Sequence, residues 1–91
     1  MIMTTTPTIE GFPIQEYLGI LSSESFLEEG FFQAKEEAMW QTRERALDLL
    51  EARAAEAGAN AVVGISIDFE VRQNLYYVMT TGTAVVIPEA P

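Results

Sequence analysis

Asp68 and Glu70 are the side chains of this sequence whose type and spacing could do chemistry. They stand two residues apart in a segment of alternating polarity, which puts both carboxylates on one face of a strand, about 7 Å apart by strand rise. Repeated around an assembly of copies, such a pair makes an acidic band of oxygen donors suited to a hard divalent cation, calcium or magnesium. Thiophilic metals favour thiolate or imidazole, and the sequence has no Cys and no His, so its four Met thioethers leave Cu(I) as the one soft-metal option. The alternative is that Asp68 and Glu70 are solvated or salt-bridged strand residues. Tyr76 and Tyr77 read as packing groups before they read as a ligand cage.

Without His or Cys, the usual nucleophile and base pairs are missing, and the serines and threonines fall in turns or strands with no evident activating base. The six glycines are scattered, so neither a GxGxxG fingerprint nor a phosphate-cradling loop is present. The reading is a protein that is not an enzyme and carries no obligatory cofactor.

The strand that bears the acids lies within Ala55 to Glu70, AEAGANAVVGISIDFE, where a helix end passes through Gly58 into β-branched sequence. From Ala61 to Arg72 the period is two, with Ala61, Val63, Ile65, Ile67, Phe69 and Val71 expected toward a helix and Val62, Gly64, Ser66, Asp68 and Glu70 facing away. Leu75 to Ile87 reads as the next strand. Gln73 and Asn74 form a two-residue turn in which Asn74 is the natural host for a positive φ. Pairing Arg72 with Leu75 then sets Asp68 opposite Met79, Glu70 opposite Tyr77, Phe69 opposite Val78, Ile67 opposite Thr80 and Ile65 opposite Gly82. A slip of one residue would turn every side chain over.

Upstream, Ile2 to Thr5 reads as a short strand stopped by Pro7, Ile9 to Pro13 as a turn, and Ile14 to Ser22 as a second strand. In that strand Tyr17, Gly19 and Leu21 would share one face, and Glu16, Leu18 and Ile20 the other. Both faces are partly apolar, which calls for cover on both sides. Ser22 to Phe32 reads as an irregular or short helical turn, because Ser25-Phe26-Leu27-Glu28 has capping-box spacing and Gly30 follows. A long helix spans about Phe31 to Ala57, free of proline and interior glycine. Its apolar arc holds Phe32, Met39, Ala46, Leu47, Leu50, Ala54 and Ala57, with Glu37, Glu44, Asp48 and Glu51 opposite. Trp40 and Leu49 lie on the flanks, either as edge-of-core groups or against a neighbouring subunit. Arg43 projects into the arc, where it lays its stem on the core or pairs with an acid of the sheet or of the next copy.

The order β-β-α-β-β, one helix on an antiparallel or mixed sheet, is an α+β fold. Ninety-one residues make one domain, residues 1–91, whose small core needs help. Disulfides are excluded by composition, so association with copies of itself is the remaining route. A hydrophobic fraction of 48% agrees, being more than so small an interior can hide. The outer sheet face, with Ser66, Met79 and Thr81, is too apolar to be wholly solvated and joins Trp40, Leu49 and Arg43 as candidate interface. Fourteen acids against five bases give a charge of −9, which disfavours nucleic acid and membrane surfaces. No apolar run approaches the roughly 20 residues of a membrane span, and the start lacks signal-peptide character, so the expected location is the cytoplasm.

Four segments in order, TTTPTIEG near the start, EYLGI at Glu16 to Ile20, GANAVVGISIDFE after the helix, and the terminal TGTAVVI, resemble the YbjQ family of small uncharacterised bacterial and archaeal proteins. Arg43-Glu44-Arg45-Ala46-Leu47 is similar to that family's Arg-x-x-Ala-Leu helix segment. The resemblance implies a dodecin-like subunit that assembles as a homopentamer, or as a decamer of two stacked pentamers, and it carries the label of heavy-metal binding. Relatives have a longer insert with a Gly-Gly-Arg-Ser stretch before the helix, where this chain's segment Ser23 to Phe32 goes almost directly into the helix. Two functions stay open: a homo-oligomeric structural or interaction module, and a small-ligand or cation-binding protein with a site at the subunit junction or ring axis.

Overall fold

The structure, a computed structural model, describes residues 1–28 and 35–89. Strands β1 (Ile2–Met3) and β2 (Glu16–Glu28) precede helix α1 (Lys35–Glu56), and β3 (Ala61–Arg72) and β4 (Leu75–Val86) follow it. They form one mixed sheet in the order β1-β3-β4-β2, with β1 parallel to β3 and the other neighbours antiparallel. The α+β reading and the element order hold. Among the described residues no helix is long and apolar enough to cross a membrane.

α1 meets the sheet through Ala38, Thr42, Ala46, Leu50 and Ala54, every fourth residue and all buried. Such a row of mostly small side chains lets the helix approach closely. Met39 and Leu47 are only half-buried and Ala57 is exposed, so the apolar arc is narrower than expected; Phe32 lies outside the described residues. The helix stop follows the sequence. Gly58 has φ 90°, the Ala59 amide donates to the Ala54 carbonyl and the Gly58 amide to that of Ala55, which together make a Schellman motif.

The β3–β4 register is as expected at Arg72/Leu75, Glu70/Tyr77, Phe69/Val78, Asp68/Met79 and Ile67/Thr80. Between Ser66 and Val63 it shifts, because Gly64 takes φ 62° and makes a β-bulge opposite Gly82. The bulge inverts the facing upstream. Val62 packs with Leu50, Ala54, Ile65 and Ala84 on the helix side, while Ala61 and Val63 turn to the other face with Val85 and Ile87. The expectation of one alternation from Ala61 to Val71 is therefore corrected. The extra backbone group is satisfied by the chain after β1, since the Gly64 amide donates to the Thr6 carbonyl and the Ile65 amide to that of Thr4.

A second bulge between Tyr17 and Gly19 acts likewise on β2. Leu18 and Leu21 both reach the helix-side core, whereas Tyr17 and Ile20 are exposed, so the expected faces of this strand also change at the bulge. The cover demanded for the second sheet face is supplied at one end by Ile9, Phe12 and Ile14, packed on Ala61, Val63, Val85 and Ile87.

The expected turn after Ser22 is overturned, since β2 continues in register with β4 to Glu28/Leu75. Its helix-side positions there are Ser23, Ser25 and Leu27, and the polarity of the serines disguises the alternation. Ser23 is fully buried, donating to the Ala46 carbonyl at 2.6 Å and sharing a 2.5 Å hydrogen bond with Thr80. The remainder of that segment, from residue 29, lies outside the described residues. In the hairpin, Gln73 carries the positive φ of 51° in place of Asn74, the pattern of a type II′ turn.

Candidate interaction surfaces

The face of the sheet away from α1 carries the acids. Across three strands the rows are Ser66, Thr81 and Ser22; Asp68, Met79 and Glu24; and Glu70, Tyr77 and Phe26. Asp68 and Glu70 do share this face, and both are exposed. Glu70 is engaged by Arg72, whose Nε donates to it at 2.7 Å. On the far side of β4 the Tyr77 hydroxyl donates to Glu24 Oε2 at 2.6 Å. That hydrogen bond to a carboxylate, with desolvation and the charges of Glu24 and Glu70 adding to it, raises the Tyr77 pKa above its ordinary 10.0.

Among the described residues no three His, Cys, Asp or Glu side chains converge to hold a metal ion. With neither thiolate nor imidazole in the sequence, the donor set does not fit a soft heavy metal. Ser66 is exposed, and Met79 and Thr81 are half-buried on the same face.

Arg43 does not stand free. It pairs with Glu44 of its own helix at 2.5 Å and lies 4.9 Å from the Trp40 ring centroid, a cation–π contact. Within the subunit the acid it holds is Glu44, one residue along the helix, in place of an acid on the sheet. Trp40 is 59% exposed and Leu49 is 36% exposed.

A family described as "Putative heavy-metal-binding", YbjQ, matches residues 27–88 of the 91. The chain belongs to the YbjQ family. The fold is shared by the crystal structure of a protein of unknown function of the DUF74 family from Pediococcus pentosaceus, at a TM-score of 0.77 and 20% sequence identity, covering 97% of this chain and 98% of that one. At that identity the likeness is one of fold, and it spans the whole α+β subunit. The YbjQ description names no catalytic activity.

The surfaces that sequence reasoning missed are apolar. α1 packs over β2 and β4 and barely meets β3. Phe69 and Val71, on the helix side of β3 as expected, are consequently left 49% and 43% exposed. Phe69 shares a shallow hollow with Glu36, Met39, Trp40 and Arg43. On the other face of β2, Tyr17, Ile20 and Phe26 are exposed at 69%, 82% and 66%. The signal for Phe69 was available in the count of strands, because one helix covers about two strands. That for Phe26 was hidden by the assignment of its segment to a turn.

Proposed function

We propose that this YbjQ protein is a non-enzymatic subunit that assembles with copies of itself, as a pentameric ring or a decamer of two rings, and serves as a structural or interaction module of the cytoplasm. The observation that carries this reading is the amount of surface left open. The chain exposes 5978 Å², against roughly 5,300 Å² for a compact monomer of its mass. Its radius of gyration of 14.8 Å exceeds the about 12 Å of a compact chain of this length. The exposed side chains include Tyr17, Ile20, Phe26, Trp40, Phe69 and Val71, and soluble monomers rarely leave large apolar groups in contiguous patches. The charge of −9 disfavours nucleic acid and anionic membranes as partners.

Sedimentation velocity at micromolar concentration tests the reading. A species several times heavier than the 10.1 kDa chain is expected, and a 10.1 kDa species would overturn it.

The family's description supports a second reading, cation binding where copies bring their acids together. Oxygen donors such as Glu24, Asp68 and Glu70 suit calcium or magnesium. Ligand bound to the folded form alone raises apparent stability. Identical melting curves with EDTA, calcium and copper would remove this reading.

A further inference from the structure

We propose that copies of this chain join head to tail through two different surfaces: the stripe Tyr17, Ile20 and Phe26 on the outer face of β2 seats on the patch Trp40, Phe69 and Val71 on the helix side of β3 in the next copy. The proposal rests on the self-assembly argued above and names the faces that meet.

Three observations carry it. The first is placement. β2 and β3 lie on opposite sides of β4, and the two apolar groups stand on opposite faces of the sheet. The stripe of one copy can therefore overlap the patch of another as sheet packs on sheet, about 10 Å apart, and each copy keeps one group of each kind free for the next. Unlike surfaces joined this way form rings when the rotation closes.

The second is charge. β2 carries Glu16, Glu24 and Glu28 and no base. The other patch is flanked by Arg43, and Glu36 is the one acid among the described residues lining its hollow. Arg43 already holds Glu44, and its side chain remains 33% exposed. Stripe against stripe would set acids against acids, whereas stripe against patch brings acids to Arg43.

The third is size. Ile20 to Phe26 spans about 20 Å of strand, as does Ser66 to Arg72, the part of β3 that β1 does not reach. With aromatic side chains of ~150–250 Å² each half to two-thirds exposed, each patch offers a few hundred Å². The two together approach the roughly 1,000 Å² of a specific interface.

Two double variants test this. Ile20→Asp with Phe26→Asp breaks the stripe, and Phe69→Asp with Val71→Asp breaks the patch. All four positions are exposed, and circular dichroism checks the fold; Ser replaces Asp where a double variant fails to fold. Each double variant alone is expected to run as a 10.1 kDa monomer, and an equimolar mixture as a one-to-one heterodimer of twice that mass, because one intact stripe then meets one intact patch. A double variant that keeps the wild-type mass by itself, or a mixture that stays monomeric while wild type assembles, overturns the head-to-tail junction and leaves self-assembly standing. A monomeric wild type overturns both.

Discussion

Phe26 and Phe69 stand on opposite sides of β4 and on opposite faces of one sheet, each about half or more exposed. Both follow from a single mismatch, in which one 22-residue helix lies on a sheet whose three long strands run 12 or 13 residues each. The helix covers β2 and β4 from one side, Ile9 to Ile14 cover one end of the other side, and the surface that remains includes both aromatic side chains.

Gly82 is required by contact. A Cβ there would lie 2.6 Å from Val62 Cγ1 and 3.1 Å from Ile65 Cγ1, in the core beneath the β3 bulge. Gly82→Ala should cost about 1–3 kcal/mol by overpacking, read as a lower denaturant midpoint at unchanged slope. An unaltered midpoint would mean that the bulge can move aside.

Gln73 offers the opposite sign. An L-residue at φ 51° pays left-handed strain, and Gly removes that strain at a smaller cost in unfolded-chain entropy. Gln73→Gly should raise stability by roughly 0.5 kcal/mol, measured as an upward shift of the thermal midpoint. Asn74→Gly, at a residue without positive φ, should bring no such gain.

Ser23, Thr80 and the Ala46 carbonyl make a buried polar seam between sheet and helix. Ser23→Ala leaves the buried Thr80 hydroxyl without its partner and should destabilise by about 1–3 kcal/mol. Chemical denaturation checks this. A change within a few tenths would show that the seam rearranges around the lost hydroxyl.

Tyr77 supplies the pH prediction. Its pKa is raised, first by the hydrogen bond to Glu24, so the neutral phenol is favoured in the folded state. The stability this contributes is fully present below the ordinary value of 10.0 and is lost as pH rises through the raised folded value. Ultraviolet titration of wild type minus Tyr77→Phe should show a phenol ionising above pH 10, and Glu24→Gln should bring that ionisation down. An ordinary phenol curve unaffected by Glu24→Gln would refute the contact.

The sequence carried the element order, the helix stop at Gly58 and the hairpin register, because each depends on short-range rules of period, turn chemistry and Gly conformation. It misled where a single glycine changed the phase. Gly64 and Gly19 look like ordinary strand residues in an alternating run, and only pairing with β4 shows that each marks a place where the facing inverts. Ser23 and Ser25 hid the second half of β2, since the polar partners that make a buried serine acceptable, Thr80 and Ala46, lie far along the chain. The acid pair Asp68 and Glu70 was placed on its face correctly, yet its surroundings, Arg72 on one side and Tyr77 with Glu24 beyond, are products of the sheet.

Self-assembly is the central claim, and native mass spectrometry of the wild-type protein at micromolar concentration tests it most directly. The expected result is a closed complex at a whole multiple of the 10.1 kDa chain mass, as in a ring or a pair of rings. A spectrum holding the 10.1 kDa chain alone would contradict it.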